Sequence, residues 1–366
     1  MSDVERALAR IDTGAIERNC RYLRSLLSEG AELCAVVKAD GYGHGHAATA
    51  RAALAGGATW LAVATAREAR ALREAGLVDA RVLVMGALTP SDLRIALDAG
   101  ADVVAWTREL VEAIDRPARV HVKLDSGMGR LGTKDVDEAR ALCDLIADRN
   151  DLELAGLMTH FATADERGDA HFDAQLEHFV PLANEVKSAH PQAVVHAANS
   201  ASVYREPSSH FDLVRCGIAI YGLDPFGEDP AERGLEPALG LESYVAAVKR
   251  FEAGDSAGYG RTWRAPRATH VGVLPIGYGD GWRRALSNNC DVLVGGRRHP
   301  LVGTVSMDNV TIDLGPDTDV RPGDRAVLIG RQDGERILCE EVARRLDTIN
   351  YEVTCGLTAR VRREHA

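Results

Sequence analysis

LCAVVKADGYGHGHAATARAALAGGATWLAVA, residues 33–64, is the stretch on which the fold turns. It carries two apolar runs, LCAVVKA (33–39) and TWLAVA (59–64), each continuous where a strand with one wet face would alternate. Runs of that kind are buried on both faces, as in parallel sheets. Six more follow: RVLVMG (81–86), DVVAW (102–106), RVHVKLD (119–125), LELAGLMTH (152–160), VVHAANS (194–200) and LVRCGIAIYG (213–222). Amphipathic helices lie between most of them; in ATAREARALREAG, Ala69 and Leu72 fall three apart on one face. Ahead of the first run, Ile16, Cys20, Leu23 and Leu27 recur at helical spacing, with Thr13 as the expected N-cap and Glu17 nearby. Eight strand–helix units in about 200 residues fit a (β/α)8 TIM-type barrel. The last crossover, from Ser200 to Leu213, is short on helix, so pattern alone leaves an open doubly wound sheet as the alternative.

The texture changes after Gly222. LDPFGEDPAERGLEPALG (223–240) is rich in Pro, Gly and acid and reads as a boundary. Beyond it, YVAAVKRF, THVGVLPIG, CDVLVGG, VTIDLG and DRAVLIG are short runs punctuated by Gly, Pro and Asp, with helix expected only near EEVARRL (340–346). The expected division is a barrel over 1–230, its first few residues free to pair with the second domain, and a mostly β domain over 231–366.

Composition agrees: 366 residues exceed one ordinary core, and 46% hydrophobic with 27% charged residues is globular usage. A formal net charge of -11 argues against a general nucleic-acid or anionic-membrane surface. The start, MSDVERALARIDTGAIERNC, carries charges throughout and does not read as a signal peptide, and no segment approaches the roughly 18 apolar residues of a membrane span. The seven cysteines are scattered without a CxxC pair, so free thiols in a reducing cytoplasm are expected. HGH (44–46) has no clustered carboxylates or cysteines beside it, and no metal is expected.

In a barrel, function gathers at the carboxyl ends of the strands. The first run ends in Lys38, one of only five lysines. Desolvation there would lower its pKa and make it a better amine nucleophile and base, and a lysine snorkelling to the rim is the equal alternative. Arg130 sits in a Gly-rich turn suited to an anion. His160 and Ser200 end the sixth and seventh runs, and Arg215, Gly217 and Ile218 belong to the eighth. Ser200 with the amides of Gly217 and Ile218 lies where such barrels bind phosphate. No P-loop or GxGxxG follows a strand. In the second domain, GYGRTW (258–263) puts Tyr259 among glycines in an exposed loop.

Taken in order, AVVKADGYGHG, KLDSGMGRLG, LMTHFATADE, HAANSA, VRCGIAIYG, AGYGRT, LPIGYGDGW, GTVSMD and TINYEV resemble alanine racemase over nearly the whole chain. The resemblance implies a cytoplasmic isomerase that interconverts L-alanine and D-alanine and supplies D-alanine for peptidoglycan. It implies pyridoxal 5'-phosphate held as a Schiff base on Lys38. Tyr42, Ser200, Gly217, Ile218 and Tyr351 would hold the phosphate, and Arg215, bonded by His160, would face the pyridine nitrogen. Arg130 would reach the phenolic oxygen and the substrate carboxylate, to which Met307 would offer its backbone amide. Lys123 matches a lysine that is carbamylated in some members; Tyr278 and Asp308 would shape the entrance. Racemisation needs a proton taken from one face of Cα and one delivered to the other, so Lys38 would serve one face and Tyr259 the other. A phenol titrates near pKa 10, so Tyr259 must be tuned by its surroundings. In this family that tyrosine comes from the partner subunit, which implies a head-to-tail homodimer. Cys216 stands at a usual proline, Ser306 at a usual cysteine and Arg362 at a usual proline. The rivals are a serine or broad-specificity racemase on the same scaffold, a non-catalytic pyridoxal-phosphate carrier, which would lack the second domain, and a fold-related decarboxylase.

Overall fold

The apolar runs between residues 33 and 222 become eight parallel strands in the computed structural model, which describes residues 5–366. Residues 1–4, the start of the expected first domain, lie outside the described residues. The chain divides into two units, Ile16–Ile220 and a second that joins the segment ending at Ala15 to Tyr221–Ala366. Strand β1 (Leu8–Ile11) belongs to the second.

The first unit holds β2 (Glu32–Val36), β3 (Trp60–Val63), β4 (Arg81–Val84), β5 (Asp102–Ala105), β6 (Ala118–Lys123), β7 (Leu152–Met158), β8 (Val194–His196) and β9 (Leu213–Cys216). They pair in the order β8-β7-β6-β5-β4-β3-β2-β9, all parallel. The two ends of that order meet: Asp212 N–H donates to Val195 O and Arg215 N–H to Ala198 O, both at 3.0 Å. This is a barrel, and the open-sheet alternative falls because consecutive strands are neighbours with no reversal of order. The strands are buried almost end to end, as their unbroken apolar runs require.

Local chemistry sets the helix starts. Thr65 accepts from Glu68 N–H while the Glu68 side chain accepts from Thr65 N–H, a reciprocal cap for the helix Ala66–Glu74. The helix Thr13–Ser25 departs from expectation. Asp12, not Thr13, accepts from Ala15 N–H at 2.8 Å, and the Thr13 hydroxyl donates to Ala366 O at 2.6 Å. A carboxylate one residue earlier is the better acceptor for the free N–H groups.

The second unit is mostly β. Its larger sheet includes β10 (Leu239–Tyr244), which lies antiparallel to β1, while β1 also pairs in parallel with the final strand, Arg362–His365. Helices Cys339–Arg345 and Asn350–Cys355 accompany it, the second unforeseen. Among the described residues no helix is long and apolar enough to cross a membrane.

Candidate active site

Lys38 follows β2 and opens a turn with an uncommon backbone. Ala39, Asp40, Gly41 and Tyr42 have φ of 53, 53, 61 and 52° in succession, so three side-chain-bearing residues sit in the left-handed region. Each such residue costs on the order of 1 kcal/mol and persists only where its surroundings over-determine it. Here they do. Gly41 N–H donates to Val37 O (3.0 Å), Gly45 N–H to Asp40 O (2.8 Å), Ala39 N–H to Glu68 Oε1 (2.7 Å) and His46 N–H to Asp40 Oδ1 (3.0 Å). The turn leaves Lys38 partly exposed and folds Tyr42 back into the barrel, where it is buried.

Tyr42 arrives at β9. A Cβ on Gly217 would meet the Tyr42 hydroxyl at 2.4 Å, so any side chain there would have to displace Tyr42. The Ser200 hydroxyl accepts from Gly217 N–H at 3.0 Å and Ala219 N–H at 3.4 Å, with Ile218 between them. A phenol, a hydroxyl and a run of amides thus gather at one point of the mouth, a set of donors suited to phosphate.

Arg215 is 3% exposed, and burial pulls its guanidinium down to about 10. Its Nη1 donates to His196 Nδ1 (2.8 Å), and its Nη2 faces Thr159 O (2.8 Å), Ala197 O (3.0 Å) and His160 Nδ1 (3.2 Å). Of five N–H groups, Nε–H and one on Nη1 have no acceptor among the described residues. The ring of His160 is driven well below its usual pKa by burial, then by Arg215 and Arg130. It is therefore neutral, and since its Nδ1 accepts, its proton is on Nε2.

Lys123, at the end of β6, is buried, and burial with Arg215 and Arg130 beside it lowers its amine to about 8. Arg130 is exposed, in a turn held by Asp125, whose carboxylate accepts from Gly127 N–H (3.1 Å) and Gly129 N–H (3.0 Å). Lys38, Lys123, Arg130 and Arg215 all act on His160. Four cations around one mouth call for an anion. A ligand with phosphate at one end and a ring acceptor for Arg215 at the other fits these groups.

The remaining residues of interest lie in the second unit. Tyr259 is 72% exposed; its carbonyl accepts from the Thr304 hydroxyl at 2.7 Å. Tyr278 N–H donates to Ser306 O (3.0 Å) and Gly279 N–H to Met307 O (2.9 Å), so these loops form one patch. Tyr278 is 41% and Met307 51% exposed, and the Met307 N–H has no acceptor among the described residues. Asp308 accepts from Arg360 Nη2 at 2.6 Å. Arg360 also pairs with the buried Asp280 (3.3 Å), which Arg6 grips with both Nη atoms. Tyr351 lies in the first turn of Asn350–Cys355, anchored by Asn350 Nδ2 donating to Asp224 O (2.8 Å) and Glu340 Oε1 (2.9 Å). His44 and His46 turn to local partners, His46 Nδ1 lying 3.0 Å from Asp40 Oδ1. His196 and Thr159 around Arg215 were not anticipated; the signal for His196 was a histidine inside the apolar run VVHAANS.

Comparison with known proteins gives the same reading. The family model for the alanine racemase N-terminal domain matches residues 11–225 and that for the C-terminal domain residues 238–365. The alanine racemase of Symbiobacterium thermophilum is 42% identical, covering 97% of this chain and 96% of that protein. That of Geobacillus stearothermophilus is 41% identical over 99% and 94%. Among solved structures, alanine racemase from Streptomyces coelicolor superposes with a TM-score of 0.92 at 38% identity, and that from E.faecalis with 0.90 at 36%, each covering 98% of both chains.

Proposed function

This chain belongs to the alanine racemase family and interconverts L-alanine and D-alanine, and we propose that Lys38 and Tyr259 are its two proton carriers, in a composite site of a head-to-tail homodimer. The family depends in general on pyridoxal phosphate, and its general role is to supply D-alanine for the cell wall. The observation that carries the reading is the cationic mouth: Lys38, Lys123, Arg130 and Arg215 around a neutral His160.

Lys38 would hold the cofactor through its amino group. Tyr42, Ser200, Gly217, Ile218 and Tyr351 would hold its phosphate, and Arg215 would turn its unused N–H groups to the ring nitrogen. When bound, pyridoxal phosphate withdraws the electron pair that a departing proton leaves at Cα. The protein then decides the stereochemistry. The Lys38 amine takes or returns the proton on one face, and the Tyr259 hydroxyl does so on the other. Arg130 and the Met307 N–H orient the alanine carboxylate, fixing which face each base meets. Arg215 keeps its own proton at neutral pH, so it would hydrogen-bond the ring nitrogen without protonating it. That would weaken the electron sink and favour return of a proton to Cα over its loss elsewhere. Tyr278 and Asp308 shape the entrance.

The exposed patch of Tyr259, Tyr278 and Met307 supports the dimer, since a proton carrier and a carboxylate-binding amide in open water would do neither job well. Mixing tests it. Lys38→Ala and Tyr259→Phe are each inactive alone, but a heterodimer has one site with both residues intact if Tyr259 reaches the partner's Lys38. After subunit exchange of equal amounts, activity returns to roughly a quarter of wild type, because half the dimers are mixed and half their sites intact. No recovery after exchange shown by native mass spectrometry sinks the composite site.

The lowered Lys123 amine is neutral in appreciable fraction near pH 7.5, the form that adds carbon dioxide to give a carbamate and a proton. The new anion would pair with Arg130. Protein equilibrated with ¹³C-bicarbonate therefore shows a carbamate carbon resonance that Lys123→Met removes; an identical spectrum from both proteins rejects the modification. The enzyme is assigned to the cytoplasm on the strength of its family.

A further inference from the structure

Barrel interiors are ordinarily filled with branched apolar side chains. This one carries a polar column from its amino-terminal end to its mouth. Asp102, the first residue of β5, is fully buried and bonded to Arg81 Nε (3.0 Å) and Arg119 Nε (2.5 Å). His121 Nε2 lies 3.2 Å from Asp102 Oδ2, and His121 Nδ1 lies 2.9 Å from His196 Nε2. His196 Nδ1 faces Arg215 Nη1 at 2.8 Å. Both imidazoles are fully buried.

Space for the column is built into the sheet. The β6–β7 register shifts between Val120 and His121, and a Cβ on Gly156 would meet His121 Nδ1 at 2.4 Å. Trp60 packs edge-on against His121 with ring centres 5.7 Å apart, and Arg81 stacks on Trp60 at 3.8 Å.

The direction of the hydrogen bonds follows from the two ends. A guanidinium only donates and a carboxylate only accepts. Arg215 donates to His196 Nδ1, so the proton of a neutral His196 is on Nε2 and goes to His121 Nδ1. That puts the His121 proton on Nε2, where it goes to Asp102. Burial holds both rings neutral, lowering each histidine below its usual value. Burial alone would raise the Asp102 carboxyl, but the His121 bond with Arg81 and Arg119 holds it below its usual range. Every link therefore points one way. Replacing a buried ionic network by apolar side chains of similar volume is often neutral or stabilising, so stability is weak grounds for keeping the column.

We infer that Asp102, acting through His121 and His196, is a remote positioning residue for Arg215: the carboxylate sets the tautomer of both histidines, and His196 then pins Nη1 and aims the free N–H groups at the mouth. The inference rests on the reading above, in which Arg215 faces the cofactor ring.

Asp102→Leu tests it. Arg119 Nε is bonded to Oδ1 and Arg81 Nε to Oδ2, the oxygen that His121 Nε2 also faces, so removing the carboxylate takes away the acceptor of the His121 proton. In ¹⁵N-histidine spectra of the holoenzyme, wild-type His121 and His196 are neutral and protonated on Nε2, and Asp102→Leu loses that single tautomer at both rings. Its kcat for alanine falls about tenfold or more, with KM within about twofold, since Arg215 is misaimed and the alanine-binding groups are untouched. Tautomers unchanged from wild type, or altered tautomers with unchanged kcat, overturn the inference. Should Asp102→Leu not fold, the wild-type spectrum decides: a proton on His196 Nδ1 overturns it. Failure of the functional reading registers separately, as a wild type that holds pyridoxal phosphate yet does not invert alanine.

Discussion

Tyr259→Phe abolishes interconversion of the alanine enantiomers, by about 10³-fold or more, yet leaves exchange of one α-hydrogen with solvent. The substitution deletes one oxygen from a side chain that is 72% exposed, so no core packing is lost and stability stays within about 0.5 kcal/mol of wild type. What goes is the proton path on one face of Cα. Lys38 still removes and returns a proton on the other face, and its ammonium hydrogens exchange with water between the two events. In D₂O the variant therefore loads deuterium into D-alanine without inverting it, while wild type loads both enantiomers and interconverts them. We propose that Lys38 serves the D side, and the label itself reports which enantiomer is retained. Inversion by Tyr259→Phe near the wild-type rate would remove Tyr259 from the chemistry. Equal exchange of both enantiomers without inversion would mean that a second base remains on its face.

Much of the barrel can be read directly from residues 33–222, because a strand buried on both faces cannot alternate and so announces itself as an unbroken apolar run. Lys38, His160 and Ser200 stand out the same way, as polar groups at the carboxyl ends of such runs, whereas Lys123 came only through the family resemblance. Closure was harder to see: β8 has only three residues, and its partnership with β9 runs through Asp212 and Arg215 instead of a regular ladder. The turn after Lys38 was beyond local reading. Ala39 and Tyr42 have no preference for positive φ and Asp40 only a mild one, so what holds the three there is tertiary, with Glu68 arriving from 29 residues away. His121 and His196 were visible as histidines inside apolar runs, but their contact joins residues 75 apart and exists only once the barrel brings β6 and β8 alongside β7.

Lys38→Ala loses racemisation by about 10⁴-fold or more and, unlike Tyr259→Phe, also loses exchange at both enantiomers. One side chain is asked to do two things, to hold the cofactor and to carry a proton, so its removal cannot be partial. The competing candidate is Lys123. Its amine is lowered to about 8, so an appreciable fraction is neutral and nucleophilic near neutral pH. Geometry favours Lys38. Lys123 is 4% exposed and hemmed in by Arg215 and Arg130, whereas Lys38 is partly open at the mouth on a turn whose Tyr42 touches the Ser200–Gly217 cradle. Of the other three lysines, Lys187 is tied to Asp212 at 2.8 Å, and Lys134 and Lys249 are not strand-end residues of the barrel. Borohydride reduction of protein loaded with pyridoxal phosphate separates the two candidates. A peptide labelled at Lys38, with no label fixed in Lys38→Ala and full labelling retained in Lys123→Met, assigns the anchor to the exposed amine. Label found on Lys123 would mean that amine pKa and not reach selects the anchor, and the two faces of Cα would have to be reassigned, with Lys38 left to serve the substrate carboxylate beside Arg130.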